Sequence, residues 1–255
     1  MFDDVGTFSS ASETPRGQSP QLWSTLRRLL SEHEAAAPVR LLDCGGGSGS
    51  LAVPLAQAGA EVTVVDVSID ALGTLVRRAS EAGVSDRVMA VQGDVEALSD
   101  LLARATFDVV LAHEVLGSVA SLPAAMAEIV AAIRPGGVVS IVVANPVAVV
   151  LGRALSGDVD GALTALHKSS ESQFSLSSLQ GLCEAAGLAI EQVDGVGVFS
   201  EIVPGIELER PGAMTALAEL EAAASGLAPY RDIAARLHIV ARRPVSNRPV
   251  TEISQ

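Results

Sequence analysis

The chain has 255 residues, of which 49% are hydrophobic and 18% are charged, and these values are typical of one globular α/β domain with additions. A formal net charge of −13 disfavours nonspecific binding to nucleic acid and to anionic membranes. An aromatic content of 3% leaves few rings on which nucleic-acid bases can stack. The longest apolar stretch, 137–144, is only strand-sized, and residues 1–30 show no signal-peptide pattern. We therefore expect a cytoplasmic protein without a membrane partner.

Strands and helices alternate from residue 39 onward, which predicts parallel strands joined by right-handed crossovers in a doubly wound α/β sheet. Before them, apolar residues at helical spacing predict a helix that begins at Pro20 and ends before Pro38, with Trp23 in the core. The predicted strands are 39–43, 61–66, 88–92, 107–112, 138–144, 188–198 and 236–242. The predicted helices are 49–58, 69–83, a short one through 103, 122–133, one or two within 147–167, 175–186 and 211–225, and a turn is predicted at 134–137.

The two cysteines, Cys44 and Cys183, stand apart from any second pair that would make a metal or disulfide framework. Free cysteine is usually a small buried residue. We predict that both are buried and that the chain has no metal site.

A glycine-rich turn follows the first predicted strand. Gly45, Gly47 and Gly49 let the backbone turn tightly and approach a ligand closely, and the helix after them directs its N-terminal amides into the same space. Glycines also end strands for purely structural reasons, but the second strand ends at Asp66, at the spacing where nucleotide sites place a ribose-binding carboxylate. The loop and the carboxylate together predict a nucleotide-like ligand.

Three aspartates near this turn have both a structural and a functional interpretation. Asp66 either caps the helix that begins near Ile69 or offers its two oxygens to a ribose diol. Asp94 either caps the turn that begins at Val95 or contacts a ligand. Asp43 precedes the glycines, where it can hold the turn and reach an amine through water.

Five motifs in order make the chain resemble the class I S-adenosylmethionine-dependent methyltransferases. They are 42–49 (LDCGGGSG), 65–66 (VD), 93–95 (GDV), 107–113 (FDVVLAH) and 134–137 (RPGG). The resemblance implies a Rossmann-like seven-stranded sheet, parallel with one antiparallel strand, and S-adenosyl-L-methionine as the cofactor. It implies cofactor contacts from Arg16, Asp43, Gly45, Gly46, Gly47, Gly49, Asp66, Val67, Asp94, Val95, Ala112 and His113.

Within this resemblance, Asp94 accepts the adenine amino proton while the backbone N–H of Val95 addresses a ring nitrogen. Ala112 and His113 line the methionine arm, and Arg16 takes the place of a family arginine that binds the cofactor carboxylate. His113 is the candidate catalytic base for a hydroxyl or amine acceptor. A carboxylate acceptor needs no base, and His113 then only contacts the cofactor.

The rest of the chain resembles, more narrowly, the bacterial tRNA 5-carboxymethoxyuridine methyltransferases, which esterify a carboxylate on the wobble uridine. The similar segments are 2–4, 16–18, 145–146, 182–187, 195–199, 217–221 and 238–244. The lysine-rich run after the fifth strand and the basic residues after the sixth strand in that family are missing here, and phosphate contacts hold nucleic acid in register. The acceptor is therefore either an oxygen atom on tRNA or a small molecule, and a third possibility is a cofactor-binding protein without catalysis.

Binding of tRNA predicts a basic patch of Arg153, Lys168, Arg231 and Arg236 beside the cofactor mouth. The chain divides into an N-terminal lid segment and helix (1–37), a Rossmann-like cofactor-binding core (38–145), a lid insertion (146–174), the remainder of the same sheet with a helical insertion near 200–232 (175–244), and a disordered tail (245–255).

Overall fold

A computed structural model describes residues 14–15, 17–33, 37–169 and 174–245, and they contain one seven-stranded sheet covered by helices. The strands are β1 Arg40–Cys44, β2 Glu61–Asp66, β3 Val88–Gln92, β4 Phe107–His113, β5 Ile133–Ala144, β6 Ala189–Val196 and β7 Arg236–Arg242. The helices are α1 Pro20–His33, α2 Ala52–Gln57, α3 Ile69–Glu81, α4 Leu98–Leu101, α5 Leu122–Ala132, α6 Pro146–Leu155, α7 Val159–Ser169, α8 Leu176–Ala185, α9 Gly205–Leu208 and α10 Ala213–Ala224. Short 3₁₀ helices lie at Val95–Ala97 and Arg231–Ile233. The predictions for Arg16 and for the tail from 246 onward lie outside the described residues.

The strand order in the sheet is β3-β2-β1-β4-β5-β7-β6. Strands β1 to β5 pair in parallel, and β7 is antiparallel to both of its neighbours, β5 and β6. The predicted Rossmann-like sheet with one antiparallel strand is confirmed. The chain order reverses between β1 and β4, and such a reversal opens a crevice at the carboxyl ends of the strands.

Two faces of the sheet are covered by separate hydrophobic clusters, as strands buried on both sides require. One cluster joins α1, α2 and α3 to the sheet and includes Trp23, and the other joins α5 and α8 and includes Cys44 and Cys183. Trp23 is 5% exposed and both cysteines are fully buried, which confirms the predictions for these residues.

Among the described residues, two predicted boundaries differ from the structure by three residues or more. Helix α2 begins at Ala52 rather than at 49, because Gly49 has a φ of 77°, outside the helical range. The RPGG segment at 134–137 is the start of β5 and not a separate turn, and the pairing of β4 with β5 shifts register there. A Cβ on Gly137 would lie 2.8 Å from the Asp108 carbonyl oxygen, so the close approach of the two strands requires glycine.

Candidate active site

A cleft lies at the carboxyl ends of β1, β2 and β4, and it consists of two cavities that share Gly45 and Glu114 in their walls. The first, which we call the β1 cavity, has a volume of about 340 Å³ and contains Asp43 at the end of β1. The second, the β2 cavity, has a volume of about 270 Å³ and contains Asp66 at the end of β2. The β1 cavity is also lined by Gly17, Gln18, Ser19, Gly46, His113 and Arg236, and the β2 cavity by Val67, Asp94 and Val95. The shared wall makes the two cavities one elongated site.

The glycine loop connects β1 to α2 and forms one wall of this cleft. Gly45 has a φ of 71°, in the left-handed region, and a Cβ there would lie 2.8 Å from Cγ2 of Val115. A Cβ on Gly46 would collide with the Asp43 carboxylate, and one on Gly49 would collide with Leu75 of α3. At these three positions the backbone lies too close to its own neighbours for any side chain, so packing alone requires glycine there. Contact of the loop with a ligand stays a prediction.

Asp66 links the second strand to the glycine loop. Its Oδ2 accepts a hydrogen bond from the backbone N–H of Gly47 at 2.9 Å, and its Oδ1 accepts one from Ser68 N–H at 2.8 Å. The cap of α3 is Ser68, whose Oγ accepts from Ala71 N–H, so the capping alternative for Asp66 was wrong. A carboxylate oxygen can accept more than one hydrogen bond, and Asp66 therefore retains acceptor capacity toward the β2 cavity.

Asp94 caps the 3₁₀ helix that begins at Val95, because its Oδ1 accepts a hydrogen bond from Glu96 N–H at 2.9 Å. The structural alternative for Asp94 is therefore present. The side chain is nevertheless exposed in the wall of the β2 cavity, next to Val67 and Val95. Its second oxygen, Oδ2, accepts no hydrogen bond from the described residues, so capping leaves it open to a ligand.

Asp43 is a buried carboxylate, 3% exposed, in the wall of the β1 cavity. It accepts no hydrogen bond from the part of the chain that the structure describes. Burial, followed by the negative charge of Asp66, raises the pKa of Asp43 to about 7. A carboxylate held without a partner is destabilised in its charged form, and a cationic ligand group in the cavity would relieve this.

His113 belongs to a buried chain of polar side chains across three strands. Its Nε2 lies 2.8 Å from Ser140 Oγ, and the same oxygen lies 2.9 Å from His238 Nε2. The hydroxyl has one proton, so it donates to one ring and accepts from the other. His113 Nδ1 is buried with no hydrogen-bond partner among the described residues. Burial, followed by the proximity of His238, lowers the pKa of His113 to about 3, so the ring is neutral at physiological pH.

The structure separates some predicted residues from the cleft and adds others. Ala112 is fully buried in the core, and neither it nor Gly47 nor Gly49 is among the lining residues of either cavity. Glu114 and Arg236 both line the β1 cavity, and sequence reasoning had not included them among the cofactor contacts. The sequence did contain a signal for Glu114, because this charged residue directly follows the buried strand 107–113, which is the fourth motif.

The predicted basic patch at the mouth was wrong, because its four residues lie in different places. Arg236 lines the β1 cavity, whereas Arg153 and Lys168 line a separate cavity of about 420 Å³ between α6 and α7. Arg231 pairs with the neighbouring Asp232, and Arg153 pairs with Asp158. None of the described residues of α6 and α7 is among the lining residues of the cleft, so their role as a lid stays a prediction.

A family model described as a methyltransferase domain matches residues 16–193. The chain therefore belongs to the methyltransferase domain family. It is an S-adenosylmethionine-dependent methyltransferase, with S-adenosyl-L-methionine as its cofactor.

Individual relatives differ in how much of the chain they match. A tRNA 5-carboxymethoxyuridine methyltransferase of Escherichia coli is 28% identical over 98% of both chains. A ubiquinone biosynthesis O-methyltransferase of Methylocella silvestris is 35% identical, but over 53% of this chain and 58% of its own length. The crystal structure of an S-adenosylmethionine-dependent methyltransferase from Mesorhizobium loti has the same fold, with a TM-score of 0.60 and 20% identity over 90% of this chain and all of that one. Across the described ranges, no helix is long and apolar enough to cross a membrane.

Proposed function

We propose that S-adenosylmethionine lies along the cleft, with adenosine in the β2 cavity and the methionine arm in the β1 cavity. The proposal is supported by the acceptors and charges in the two walls. Asp66 and Asp94 present carboxylate oxygens to the β2 cavity, where a ribose diol and an adenine amino group need acceptors. The buried and unpaired Asp43 in the β1 cavity suits the cationic amine of the methionine arm. The sulfonium joins these two parts of the cofactor, so it lies near the shared wall of Gly45 and Glu114.

We further propose that the acceptor atom is a carboxylate oxygen. The observation that carries this proposal is the state of His113, the candidate base. Its Nε2 is engaged by Ser140, its Nδ1 is buried, and its pKa of about 3 leaves little affinity for a proton. A hydroxyl acceptor requires a base with a pKa near the working pH, whereas a carboxylate is already ionised and nucleophilic. Contact with the bound molecules therefore suits His113 better than proton transfer.

Bound S-adenosylmethionine supplies an activated methyl group, and the chain has only to hold the acceptor in line with it and to exclude water. Transfer of that methyl group to a carboxylate oxygen would give a methyl ester and S-adenosylhomocysteine. No proton leaves the acceptor, which agrees with a site whose histidine is neutral and hydrogen-bonded.

A modified uridine of tRNA is our first candidate for the molecule that carries this carboxylate. The similarity to the E. coli tRNA enzyme extends over 98% of both chains, beyond the part that binds the cofactor. The matches to ubiquinone O-methyltransferases cover 42% to 61% of this chain, so they support the cofactor-binding part more than the acceptor.

A small carboxylic acid is the second candidate, and the charge of the chain favours it. The net charge is −13, and of Arg153, Lys168, Arg231 and Arg236 only Arg236 lines the cleft. Few positive charges are therefore placed at the cleft to neutralise phosphates, which supply much of the affinity for nucleic acid.

The test incubates the protein with methyl-labelled S-adenosylmethionine and three acceptors: tRNA that contains 5-carboxymethoxyuridine, the free nucleoside 5-carboxymethoxyuridine, and an analogue in which a hydroxymethyl group replaces the carboxylate. Mild alkali releases methanol from an ester but not from an ether. We expect alkali-labile label in the tRNA. Label in the free nucleoside but not in tRNA would favour the small-molecule acceptor, and label only in the hydroxyl analogue, or in no acceptor, would overturn the proposed carboxylate.

A further inference from the structure

An ion pair between Glu114 and Arg236 lies in the wall of the β1 cavity. The Arg236 Nε and Glu114 Oε1 atoms are 2.9 Å apart, and the two side chains are 46% and 50% exposed. Arg236 is the only lysine or arginine among the described lining residues of either half of the cleft. A carboxylate in the β1 cavity, whether it belongs to the acceptor or to the methionine arm proposed to lie there, therefore meets this guanidinium.

The backbone presents both partners in fixed positions. Glu114 directly follows β4 with a φ of 56°, which is rare for a residue other than glycine, and its N–H donates to Val142 of β5 at 2.8 Å. Arg236 begins β7 opposite Ala144 of β5. The preceding turn is held by the buried Asn145, whose Nδ2 donates to the carbonyl oxygens of Asp232 and Ala234. The ends of β4, β5 and β7 thus determine where Glu114 and Arg236 lie in the wall of the β1 cavity.

The pair can exchange partners at low cost. A half-exposed ion pair contributes little to stability, because water solvates both charges when they separate. A carboxylate that displaces Glu114 can accept two parallel N–H bonds from the guanidinium, which is the stronger arrangement for arginine. Glu114 lies in the wall shared by both cavities, so its released carboxylate stays close to the sulfonium.

We propose that Arg236 binds the carboxylate of the acceptor and selects for it, and that Glu114 holds Arg236 in place until the acceptor arrives. This inference rests on the proposed carboxylate methylation. The acceptor carboxylate, Arg236, Glu114 and the sulfonium then bring two negative and two positive charges together, with a sum of zero. A neutral acceptor leaves Glu114 and Arg236 paired and gains no contact with the guanidinium.

The test compares Arg236→Gln and Arg236→Lys with Arg77→Gln, which removes an arginine from an exposed ion pair with Glu81 on α3, away from the cleft. Each protein is loaded with S-adenosylhomocysteine and titrated with 5-carboxymethoxyuridine and with its carboxamide analogue. We expect the unmodified chain to prefer the carboxylate, and Arg236→Gln to lose about 10- to 100-fold in affinity for it, as for a charge-assisted hydrogen bond. The affinity for the carboxamide should be unchanged, and Arg236→Lys should fall between.

The Kd for S-adenosylmethionine and the thermal unfolding temperature separate this role from a structural one. Both should be unchanged in Arg236→Gln and Arg77→Gln, while KM for the carboxylate acceptor rises only in the Arg236 variants. The inference is overturned if Arg236→Gln raises the Kd for S-adenosylmethionine, because the guanidinium then binds the carboxylate of the methionine arm in the same cavity. It is also overturned if Arg236→Gln weakens the carboxamide and the carboxylate equally, if it weakens neither, or, should that variant not fold, if Arg236→Lys keeps the full preference. Absence of methyl transfer to every carboxylate by the unmodified chain overturns the proposed function instead, and that result is distinguishable because it precedes any variant.

Discussion

The carboxylate of Asp66 accepts a hydrogen bond from the backbone N–H of Gly47 at 2.9 Å, and this contact joins the end of β2 to the loop after β1. It holds the ribose-binding candidate and the glycine loop in one arrangement before any ligand binds. Preorganisation of this kind lowers the entropy that binding must overcome.

The first prediction concerns this contact. Asp66→Asn retains the size of the side chain but removes the charge and replaces one acceptor oxygen by a donor. Only one of the two hydrogen bonds from Gly47 N–H and Ser68 N–H can then remain. We expect the Kd for S-adenosylmethionine to rise about 10- to 100-fold in calorimetry. The control is Asp70→Asn on the exposed first turn of α3, which should bind normally. Equal affinity in both variants would contradict the placement of adenosine in the β2 cavity.

The second prediction concerns Gly46. A Cβ at this position collides with the Asp43 carboxylate and lies 2.9 Å from Cγ1 of Val64, so Gly46→Ala should reduce the free energy of unfolding by about 1 to 3 kcal/mol. It should also weaken cofactor binding, because the loop must move away from Asp43. Gly73→Ala is the matched control, since Gly73 lies in α3 with nothing within 4 Å of the added Cβ. That variant should gain about 0.5 to 1 kcal/mol in urea unfolding, and a Gly46→Ala protein as stable as the parent would refute the close packing.

The third prediction concerns the pH dependence of stability at Asp43, whose pKa is raised from 3.8 to about 7 in the folded chain. The unfolded chain releases this proton at lower pH than the folded chain does, so Asp43 favours folding most below pH 3.8, and this stabilisation is lost as the pH rises to about 7. Asp43→Asn has no carboxyl group to ionise, so it does not lose stability in this pH range. Its unfolding temperature, relative to the parent without cofactor, should therefore increase from pH 5 to pH 7 and then stay constant. A difference that does not change with pH would contradict the raised pKa.

The fourth prediction concerns binding of the cofactor by the same residue. Below about pH 7 the free protein holds Asp43 protonated, so the affinity for a cationic amine should fall by about tenfold per pH unit between pH 7 and pH 5. Asp43→Asn should bind weakly and without this pH dependence, whereas Asp100→Asn, on the exposed surface of α4, should behave like the parent. Calorimetry at several pH values measures both, and an affinity independent of pH in the parent would place the amine elsewhere.

The fifth prediction concerns His113. With the cofactor and a carboxylate acceptor saturating, kcat should be constant between about pH 6 and pH 9, because neither the neutral histidine nor the ionised acceptor titrates in that range. His113→Gln should reduce kcat by less than about tenfold, since the typical contribution of an acid or base is 10²- to 10⁴-fold. A rate that rises with pH and a loss beyond a hundredfold would together restore His113 as a general base.

The sequence by itself determined the class of the fold, the position of the glycine loop, and the positions of Asp66 at the end of β2 and Asp94 before the 3₁₀ helix. These features are local: the period of apolar residues selects strand or helix, and glycine is needed where the backbone turns with positive φ or approaches a side chain. The start of β5 at Ile133 could not be predicted from such local patterns, because it depends on the pairing of Ile133 with Phe107 of β4.

Only the tertiary structure decided the chemical state of the side chains in the cleft. The raised pKa of Asp43 comes from burial beside Asp66, and the lowered pKa of His113 comes from burial beside His238, which is 125 positions later in the sequence. The pairing of Glu114 with Arg236 likewise depends on the antiparallel insertion of β7 next to β5. Charge, solvation and hydrogen bonding depend on distance in space, and residues far apart in the chain become neighbours only when the sheet is assembled.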